Sequence, residues 1–319
     1  MAIDRIAVVG AGEWGTALAQ AAASAGRQVT LIGRDPEVLS EINVAHTNRK
    51  HLGAQRLSAH ISASSRYSGA DLVILAVPAQ ATRAALEALG NLGEPVVLTA
   101  KGLEHGTMLR QSEILAELAP NAVPFVLSGP SFAVDVAAGR PTAVTLAGQY
   151  DDETEAIAAA LAGPSFRLYA ARDIVGVELA GALKNVYALA AGAVDGANLG
   201  ASARAGLIAR AYAELSRIVV ALGGVADTLG GLAGLGDLTL SCTSTQSRNY
   251  RHGAALGKGA AVPTELAEGV FTAPVALQIA RQAGVDAPLI EAVNLLLSGN
   301  VKIEKIVAGL MSRPLKRES

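Results

Sequence analysis

The sequence has little of several residue types, and each shortage narrows what the chain can be. Cys242 is the only cysteine among 319 residues, which excludes a disulfide framework and a cysteine zinc site. Aromatic residues make up 3% of the chain and hydrophobic residues 51%, so the core must consist mainly of Ala, Val, Leu and Ile. The formal net charge is -2, which predicts neither a nucleic-acid surface nor a polybasic membrane patch.

Targeting and membrane signals are also lacking. The first residues, MAIDRIAVVGAG, do not show the basic region, apolar run and cleavage site of a signal peptide and have the pattern of a strand. The long weakly charged segments are interrupted by Pro, Gly or a charge, so none predicts a membrane span. We therefore expect a cytoplasmic protein without membrane insertion, with a polar tail at 312–319 that frays.

Two kinds of pattern divide the chain. Up to residue 172, strand-like and helix-like segments alternate, which predicts an α/β domain with a Rossmann-type doubly wound sheet over residues 1–172. The strand patterns lie at 5–10, 28–33, 71–78, 95–102, 124–131, 142–148 and 166–171, and the helical patterns at 16–26, 80–89, 107–118 and 152–162. Beyond that point long Ala/Leu/Gly segments at helical spacing predict an all-helical domain over residues 173–319, including 174–194, 203–223, 272–284 and 287–298. No low-complexity linker separates the two, so the first of these helices should pack directly against the first domain.

The glycine motif GAGEWG follows the first strand and opens the first helix. In a strand–helix–strand unit this motif is typical of dinucleotide binding. Gly10 permits a tight turn, Gly12 lets the backbone approach a pyrophosphate, and Gly15 lets the helix pack close to the strand. The amino end of the helix would supply N–H groups and partial positive charge to the phosphates.

Side chains near this motif indicate which dinucleotide binds. Glu13 is predicted to point to solvent or to cap the helix, and Trp14 either fills the core or covers the cofactor. After the second strand Arg34 precedes Asp35; an arginine there accommodates a 2′-phosphate, whereas an acid holds a ribose 2′-hydroxyl. Because Asp35-Pro36 has the pattern of an N-cap and first helical residue, we expect NADP(H) to be preferred, with NAD(H) possible.

Two loops after strands, and three segments of the helical half, carry candidate substrate groups. Lys101 follows a buried strand, and the turn SGPSFA (128–133) could present backbone N–H groups. Each loop could equally be ordinary turn chemistry. In the helical half the candidates are Lys184 and Asn185 within an apolar helix, Asp237 in a glycine-rich turn, Ser247 as a helix cap followed by Arg248, and Glu268 before a glycine.

A lysine in an apolar helix usually extends its charge to water, so Lys184 alone is weak evidence for a function. With a hydride donor nearby, however, reduction of a ketone leaves negative charge on oxygen, and a positioned cation that delivers a proton suits that need. Desolvation can lower the pKa of a lysine enough for acid–base work. Asp237 would orient Lys184, and Arg248 would hold an anion as a planar fork.

The combined motifs resemble one enzyme family. The segments GAGEWGTALA, AVPAQATR, TAKGLE, SGPSFA, ELAGALKNVYALAAG, GLAGLGDLTLSCTSTQSRN and AEGVFTA are similar to soluble bacterial NAD(P)-dependent glycerol-3-phosphate dehydrogenases, in order from residue 5 to about residue 300. The resemblance implies reversible reduction of dihydroxyacetone phosphate, a small three-carbon phosphate ester, to sn-glycerol 3-phosphate, a phospholipid precursor. It also implies Lys184 as proton donor in reduction and acceptor in oxidation, and a homodimer.

The resemblance assigns further site residues by matching position. The implied substrate-binding residues are Lys101, Gly129, Ser131, Lys184, Asp237, Ser247, Arg248 and Asn249. The implied cofactor contacts are Trp14, Arg34, Lys101, Ala133, Arg248, Glu268 and position 13. At position 13 the family usually has a small polar residue, so only a backbone role is carried over to Glu13, and weak cofactor binding is expected. No metal is implied.

Two other functions compete with this interpretation. Ketopantoate reductases and β-hydroxyacid dehydrogenases also resemble a Rossmann domain followed by a helical domain with a lysine, but their substrates present a carboxylate. The segment around Arg248, which looks suited to a phosphate, favours the first interpretation. A non-catalytic dinucleotide sensor would keep the glycine motif without needing Lys184, Asp237 and Arg248 together.

Overall fold

Residues 3–314 are described by a computed structural model of the chain, in which one eight-stranded sheet is followed by helices. The strands are β1 (Arg5–Val9), β2 (Gln28–Ile32), β3 (Ile61–Ser64), β4 (Leu72–Leu75), β5 (Val96–Leu98), β6 (Pro124–Ser128), β7 (Thr142–Gly148) and β8 (Phe166–Ala171). The helices of the sheet half are α1 (Glu13–Ser24), α2 (Pro36–Ala45), α3 (Arg49–Leu52), α4 (Thr82–Leu89), α5 (Gln111–Leu118), α6 (Ala133–Ala137) and α7 (Asp151–Leu161). Those of the helical half are α8 (Ile174–Gly196), α9 (Ala201–Ala221), α10 (Ala226–Leu229), α11 (Asp237–Thr243), α12 (Arg248–Lys258), α13 (Glu268–Gln282), α14 (Pro288–Leu297) and α15 (Ile303–Met311).

The strand order is β3-β2-β1-β4-β5-β6-β7-β8. Strands β1 to β6 are parallel, and β7 pairs antiparallel with β6. The predicted fold class, a doubly wound sheet followed by helices, is confirmed, while the reversal at β7 was not predicted. Strand β3 was missed because only Ile61 of its residues is fully buried, which leaves no apolar alternation to detect.

Apolar side chains cover both faces of the sheet. One cluster packs α1, α6 and α7 against one face, and a second packs α4 and α5 against the other. The second cluster also contains Val177 of α8 and Ala233, which belong to the helical half. The backbone N–H of Ser112, in the first turn of α5, donates to Glu178 of α8 over 2.9 Å. The prediction that the first helix of the second half packs directly on the first domain is therefore confirmed.

Helix α8 is the centre of the helical half. Twenty of its residues are buried, including Lys184 and Asn185. By length and composition it could cross a membrane, but 83% of its most apolar window is buried inside the protein. The apolar residues of α8 therefore form part of the core of the helical half. The polar tail predicted to fray, 312–319, lies outside the described residues from residue 315 onward.

Four glycines bring α8 and α12 into backbone contact. A Cβ atom added at Gly192 would lie 2.0 Å from the carbonyl oxygen of Tyr250, and one added at Gly253 would lie 2.0 Å from that of Leu189. Gly196 and Gly257 have equivalent neighbours at 2.2 Å. Only residues without a side chain fit at these positions, and their contact fixes the amino end of α12 relative to Lys184.

Candidate functional site

The candidate site lies at the carboxyl ends of the parallel strands. The sheet order reverses at β1 and β4, and in such sheets ligands bind outside the carboxyl ends at this switch point. Because β1 to β6 are parallel, the residues that follow several of them lie along one edge of the sheet. These residues are Gly10 after β1, Arg34 after β2, Lys101 after β5, and Gly129 after β6.

The glycine motif has the geometry of a dinucleotide loop. Gly10 has φ +116°, and a Cβ there would lie 2.4 Å from the carbonyl oxygen of Ala76. At Gly15 a Cβ would lie 1.9 Å from the carbonyl oxygen of Gly10, so the helix and the turn are in contact. At Gly12 it would meet nothing within 4 Å. Gly12 therefore faces open space at the amino end of α1, where it is the N-cap and has no side chain to accept the first N–H groups.

Asn48 supports this loop and was missed by sequence reasoning. Its side chain is fully buried, and its Nδ2 donates to the carbonyl oxygen of Ala11 over 3.1 Å and to Oγ1 of Thr16 over 2.9 Å. Trp14 is partly buried and packs against the apolar cluster around α1, which agrees with the core-filling interpretation. The lid role stays a prediction.

The residues at this edge fit a bound dinucleotide. Besides the open space at Gly12, Glu268 has a buried Oε2 atom with no hydrogen-bond partner among residues 3–314. Its Oε1 accepts from the backbone N–H of Ala79, just after β4, over 3.3 Å. A donor on a ligand between these elements would satisfy the free oxygen. Ala133, at the start of α6, packs beside α1 at the same edge.

Two charged residues, Arg34 and Asp35, follow β2, and the carboxylate of Asp35 has hydrogen-bond partners that bear on cofactor choice. Asp35 is the N-cap of α2 and accepts from the backbone N–H of Glu37 and Val38, as predicted. It also accepts from Nζ of Lys50 over 2.7 Å, and this hydrogen bond lowers the pKa of Asp35. Arg34 is exposed beside it. Asp35 is therefore engaged within the protein, while the guanidinium of Arg34 lies at the surface.

Lys184 is paired with a buried carboxylate. Its Nζ donates to Oδ1 of Asp237 over 2.8 Å and to Oγ of Ser241 over 2.6 Å. Asp237, which is 1% exposed, is the first residue of α11. The glycine-rich segment before it, which was predicted to be a turn containing Asp237, is a π-helical turn, Leu232–Gly236. Ser241 lies four residues further along α11 and had no sequence signal of its own.

Lys101 shares the same carboxylate. Its Nζ donates to Oδ2 of Asp237 over 2.7 Å and to the carbonyl oxygen of Gly129 over 3.0 Å. Ser131 Oγ donates to the same carbonyl oxygen over 3.1 Å. The loops after β5 and β6 are thus joined to α8 through Asp237, and two ammonium groups meet one carboxylate.

Burial and the neighbouring charges change the pKa values of Lys101 and Asp237. Burial lowers the pKa of Lys101 to about 8, against the attraction of Asp237. Burial would raise the pKa of Asp237, but the charges of Lys101 and Lys184 and their hydrogen bonds outweigh it and hold that pKa below its usual value. The site therefore holds an ionised carboxylate between two lysines, and Lys101 is more easily deprotonated than an ordinary lysine.

Asn185 belongs to a chain of amide hydrogen bonds. Its Nδ2 donates to the carbonyl oxygen of Lys101 over 2.9 Å, and its Oδ1 accepts from Nδ2 of Asn249 over 2.9 Å. The backbone N–H of Gly269 donates to Oδ1 of Asn249 over 2.8 Å. Asn185 therefore connects α8 to the loop after β5 and to the start of α12. Gly181 lies one turn before Asn185 in α8. A Cβ atom added there would lie 2.8 Å from Oγ of Ser128, so the missing side chain lets α8 approach the end of β6.

The start of α12 holds the residues that were predicted to bind an anion. Ser247 is the N-cap, and its Oγ accepts from the backbone N–H of Tyr250 over 3.3 Å, as predicted. Arg248 follows as the first helical residue, and its guanidinium forms an ion pair with Glu13 of α1. Glu13 was expected to point to solvent or to cap its helix, so this contact between the two halves is a correction. No local sequence pattern indicates this contact, because the two residues are 235 positions apart.

Comparison with known proteins identifies the family. The N-terminal family model of NAD-dependent glycerol-3-phosphate dehydrogenase matches residues 5–155, and the C-terminal model matches residues 173–308. A glycerol-3-phosphate dehydrogenase [NAD(P)+] of Brucella canis is 48% identical, covering 98% of this chain and 99% of the relative. The crystal structure of a glycerol-3-phosphate dehydrogenase from Coxiella burnetii has a TM-score of 0.90 at 34% identity, covering 98% of this chain and 99% of that one.

Structures of the rival enzyme class are less similar to this chain. A Bacillus subtilis structure described as a 2-dehydropantoate 2-reductase has a TM-score of 0.56 at 16% identity, covering 95% of this chain and 99% of that one. Identity this low shows a shared fold and nothing more. The glycine loop at the switch point, the Lys184–Asp237–Lys101 cluster and the close full-length relatives agree with one another, and the chain belongs to the NAD-dependent glycerol-3-phosphate dehydrogenase family.

Proposed function

We propose that this enzyme reduces dihydroxyacetone phosphate to sn-glycerol 3-phosphate, reversibly, with NADPH or NADH, and so supplies glycerol phosphate for phospholipid synthesis. The observation that carries the proposal is the ion-paired cluster of Lys184, Asp237 and Lys101 beside a dinucleotide loop. The relatives that cover nearly the whole chain carry the same activity in their names.

Lys184 is proposed as the proton donor in reduction and the acceptor in oxidation. The bound nicotinamide would supply or accept the hydride. As the substrate carbonyl becomes an alkoxide, the Nζ of Lys184 stabilises the negative charge and transfers a proton to that oxygen. Asp237 and Ser241 accept hydrogen bonds from the Nζ over 2.8 and 2.6 Å, which fixes its position.

The remaining polar groups would bind and orient the substrate. Lys101 adds a second positive charge next to Lys184, and Gly129 and Ser131 form the loop that it contacts. Ser247, Arg248 and Asn249 begin α12, where a guanidinium and helix N–H groups suit a phosphate. Because α12 is fixed against α8, this anchor stays at a set distance from Lys184.

A spectrophotometric assay tests the proposed activity. NADPH oxidation is followed with dihydroxyacetone phosphate and, separately, with ketopantoate. We expect turnover with the phosphorylated ketone and none above background with ketopantoate, because the cation at the start of α12 suits a phosphate. Turnover with ketopantoate alone would assign the chain to the rival class, and cofactor binding without turnover of either ketone would indicate a sensor.

Cofactor preference should depend on Arg34. We propose that NADPH is preferred because Arg34 is exposed where a 2′-phosphate would lie, while Asp35 is already bound by Lys50 and by the start of α2. Arg34→Ala is expected to raise the KM for NADPH about ten-fold or more, as for a lost hydrogen bond to a charged group, with little change for NADH. Steady-state kinetics with both cofactors, with the exposed Arg56→Ala as control, measure this. An unchanged preference in Arg34→Ala refutes the assignment.

We also propose that the enzyme is a cytoplasmic homodimer. Large exposed apolar side chains lie mostly in the helical half, including Leu199, Val220, Val225, Leu235, Val262, Leu266, Phe271, Leu295 and Met311. Apolar surface of this kind supports self-association through that half. Light scattering coupled to gel filtration measures the mass in solution.

A further inference from the structure

The ion pair between Glu13 and Arg248 joins the cofactor loop to the proposed phosphate anchor. Glu13 is the first residue of α1, and Arg248 is the first residue of α12. Oε2 of Glu13 accepts from Nη2 of Arg248, and the two side chains are 30% and 44% exposed. Both are therefore accessible to solvent where the two halves meet.

The two residues have opposite effects on an anionic ligand. A guanidinium binds a carboxylate and a phosphate with the same fork of N–H donors. The Glu13 carboxylate consequently occupies a donor of Arg248 that a ligand phosphate would use. The proposed substrate has one phosphate, and the pyrophosphate of a bound dinucleotide would be held at the amino end of α1, so either ligand would bring a phosphate to this region.

We propose that Glu13 is a positioning residue whose carboxylate stands in for a ligand phosphate at Arg248, so that ligand binding must break this pair. The inference rests on the proposed function only for the identity of the ligands. In the free enzyme the pair holds the guanidinium beside the amino end of α1. On binding, a phosphate replaces the carboxylate, and Glu13 is released to solvent.

This exchange lowers apparent affinity, because only the fraction of molecules with a free Arg248 binds the phosphate. Exposed ion pairs contribute about 0.2–1 kcal/mol. Removing the carboxylate should therefore tighten binding of the competing ligand about two- to five-fold.

Equilibrium binding tests the proposal without relying on turnover. Glu13→Gln keeps the shape of the side chain and removes its charge. Binding of NADPH alone and of glycerol 3-phosphate alone is measured by isothermal titration calorimetry for wild type, Glu13→Gln, Arg248→Ala and the double variant. We expect Glu13→Gln to tighten at least one ligand about two- to five-fold, and this gain to vanish in the Arg248→Ala background. The ligand that responds is the one whose phosphate competes.

Three results would overturn the proposal. Unchanged or weaker binding of both ligands to Glu13→Gln would show that the carboxylate does not compete. A gain that persists without Arg248 would show that Glu13 repels the ligand directly. An equal gain in Glu265→Gln, which removes the partner of Arg251 three residues along α12, would show a general effect of charge. Melting temperatures of all variants establish that they are folded, and absence of turnover in the wild type would count against the proposed function but not against this pair.

Discussion

Lys184→Ala is expected to lower turnover roughly 10²-fold or more while NADPH still binds, as for loss of a general acid. The cofactor loop lies on the sheet half, whereas Lys184 is in the middle of α8. Removing its Nζ therefore takes away the proton and the charge at the substrate oxygen without altering the dinucleotide contacts. Steady-state kinetics with dihydroxyacetone phosphate and NADPH fluorescence titrations measure the two effects separately.

Two further variants make this result interpretable. Lys184→Arg keeps a positive charge, but a guanidinium is not deprotonated in proteins, so turnover should stay low even where the variant is stable. Lys258→Ala, at the exposed end of α12, removes a lysine outside the site and should behave as wild type. Wild-type turnover in Lys184→Ala would refute the role of Lys184 as the acid.

Asp237→Ala is expected to cost stability as well as activity. Asp237 is 1% exposed and is the shared partner of Lys101 and Lys184. Without it two ammonium groups face each other in a largely buried site, and breaking a buried ion pair from one side costs about 3–5 kcal/mol. Turnover should also fall by at least 10²-fold, since Lys184 loses the group that directs it.

Thermal unfolding and kinetics of the same samples check both parts. Asp227→Ala is the matched control, because this acid lies exposed in the first turn of α10 and should change neither quantity appreciably. Asp237→Asn separates charge from shape, since the amide retains an oxygen for one lysine only. A melting temperature of Asp237→Ala equal to that of the control would contradict a stabilising role for the shared carboxylate.

The parts of this molecule that the sequence predicts are those with local signals. The glycine motif, the N-cap at Asp35 and the N-cap at Ser247 each depend on residues a few positions apart, and all three have the expected geometry. The sheet half and the helical half were separable for the same reason, because the period of apolar residues changes after residue 172.

The parts that could not be predicted depend on chain segments that meet only in the folded protein. Asp237 bridges Lys101 and Lys184, which are 136 and 53 positions away. Nothing in the sequence indicated that one carboxylate serves both. Likewise, the approach of Glu13 to Arg248 and the hydrogen bond from Asn185 to the loop after β5 follow from how the halves dock. The residue types alone indicate the candidate site residues, whereas their hydrogen-bond and ion-pair partners are known only from the tertiary structure.

The glycine contact between α8 and α12 has a consequence for how substrate range can change. Because Gly192 and Gly253 place backbone against backbone, no rotamer change can widen the gap between the helices that carry Lys184 and Arg248. The contact therefore fixes the distance between the group that would protonate the carbonyl and the group that would hold the phosphate. A longer substrate could be accommodated by altering the loops after β5 and β6. Any residue larger than glycine at the helix contact would instead move α12 relative to α8 and so change the spacing between Lys184 and Arg248.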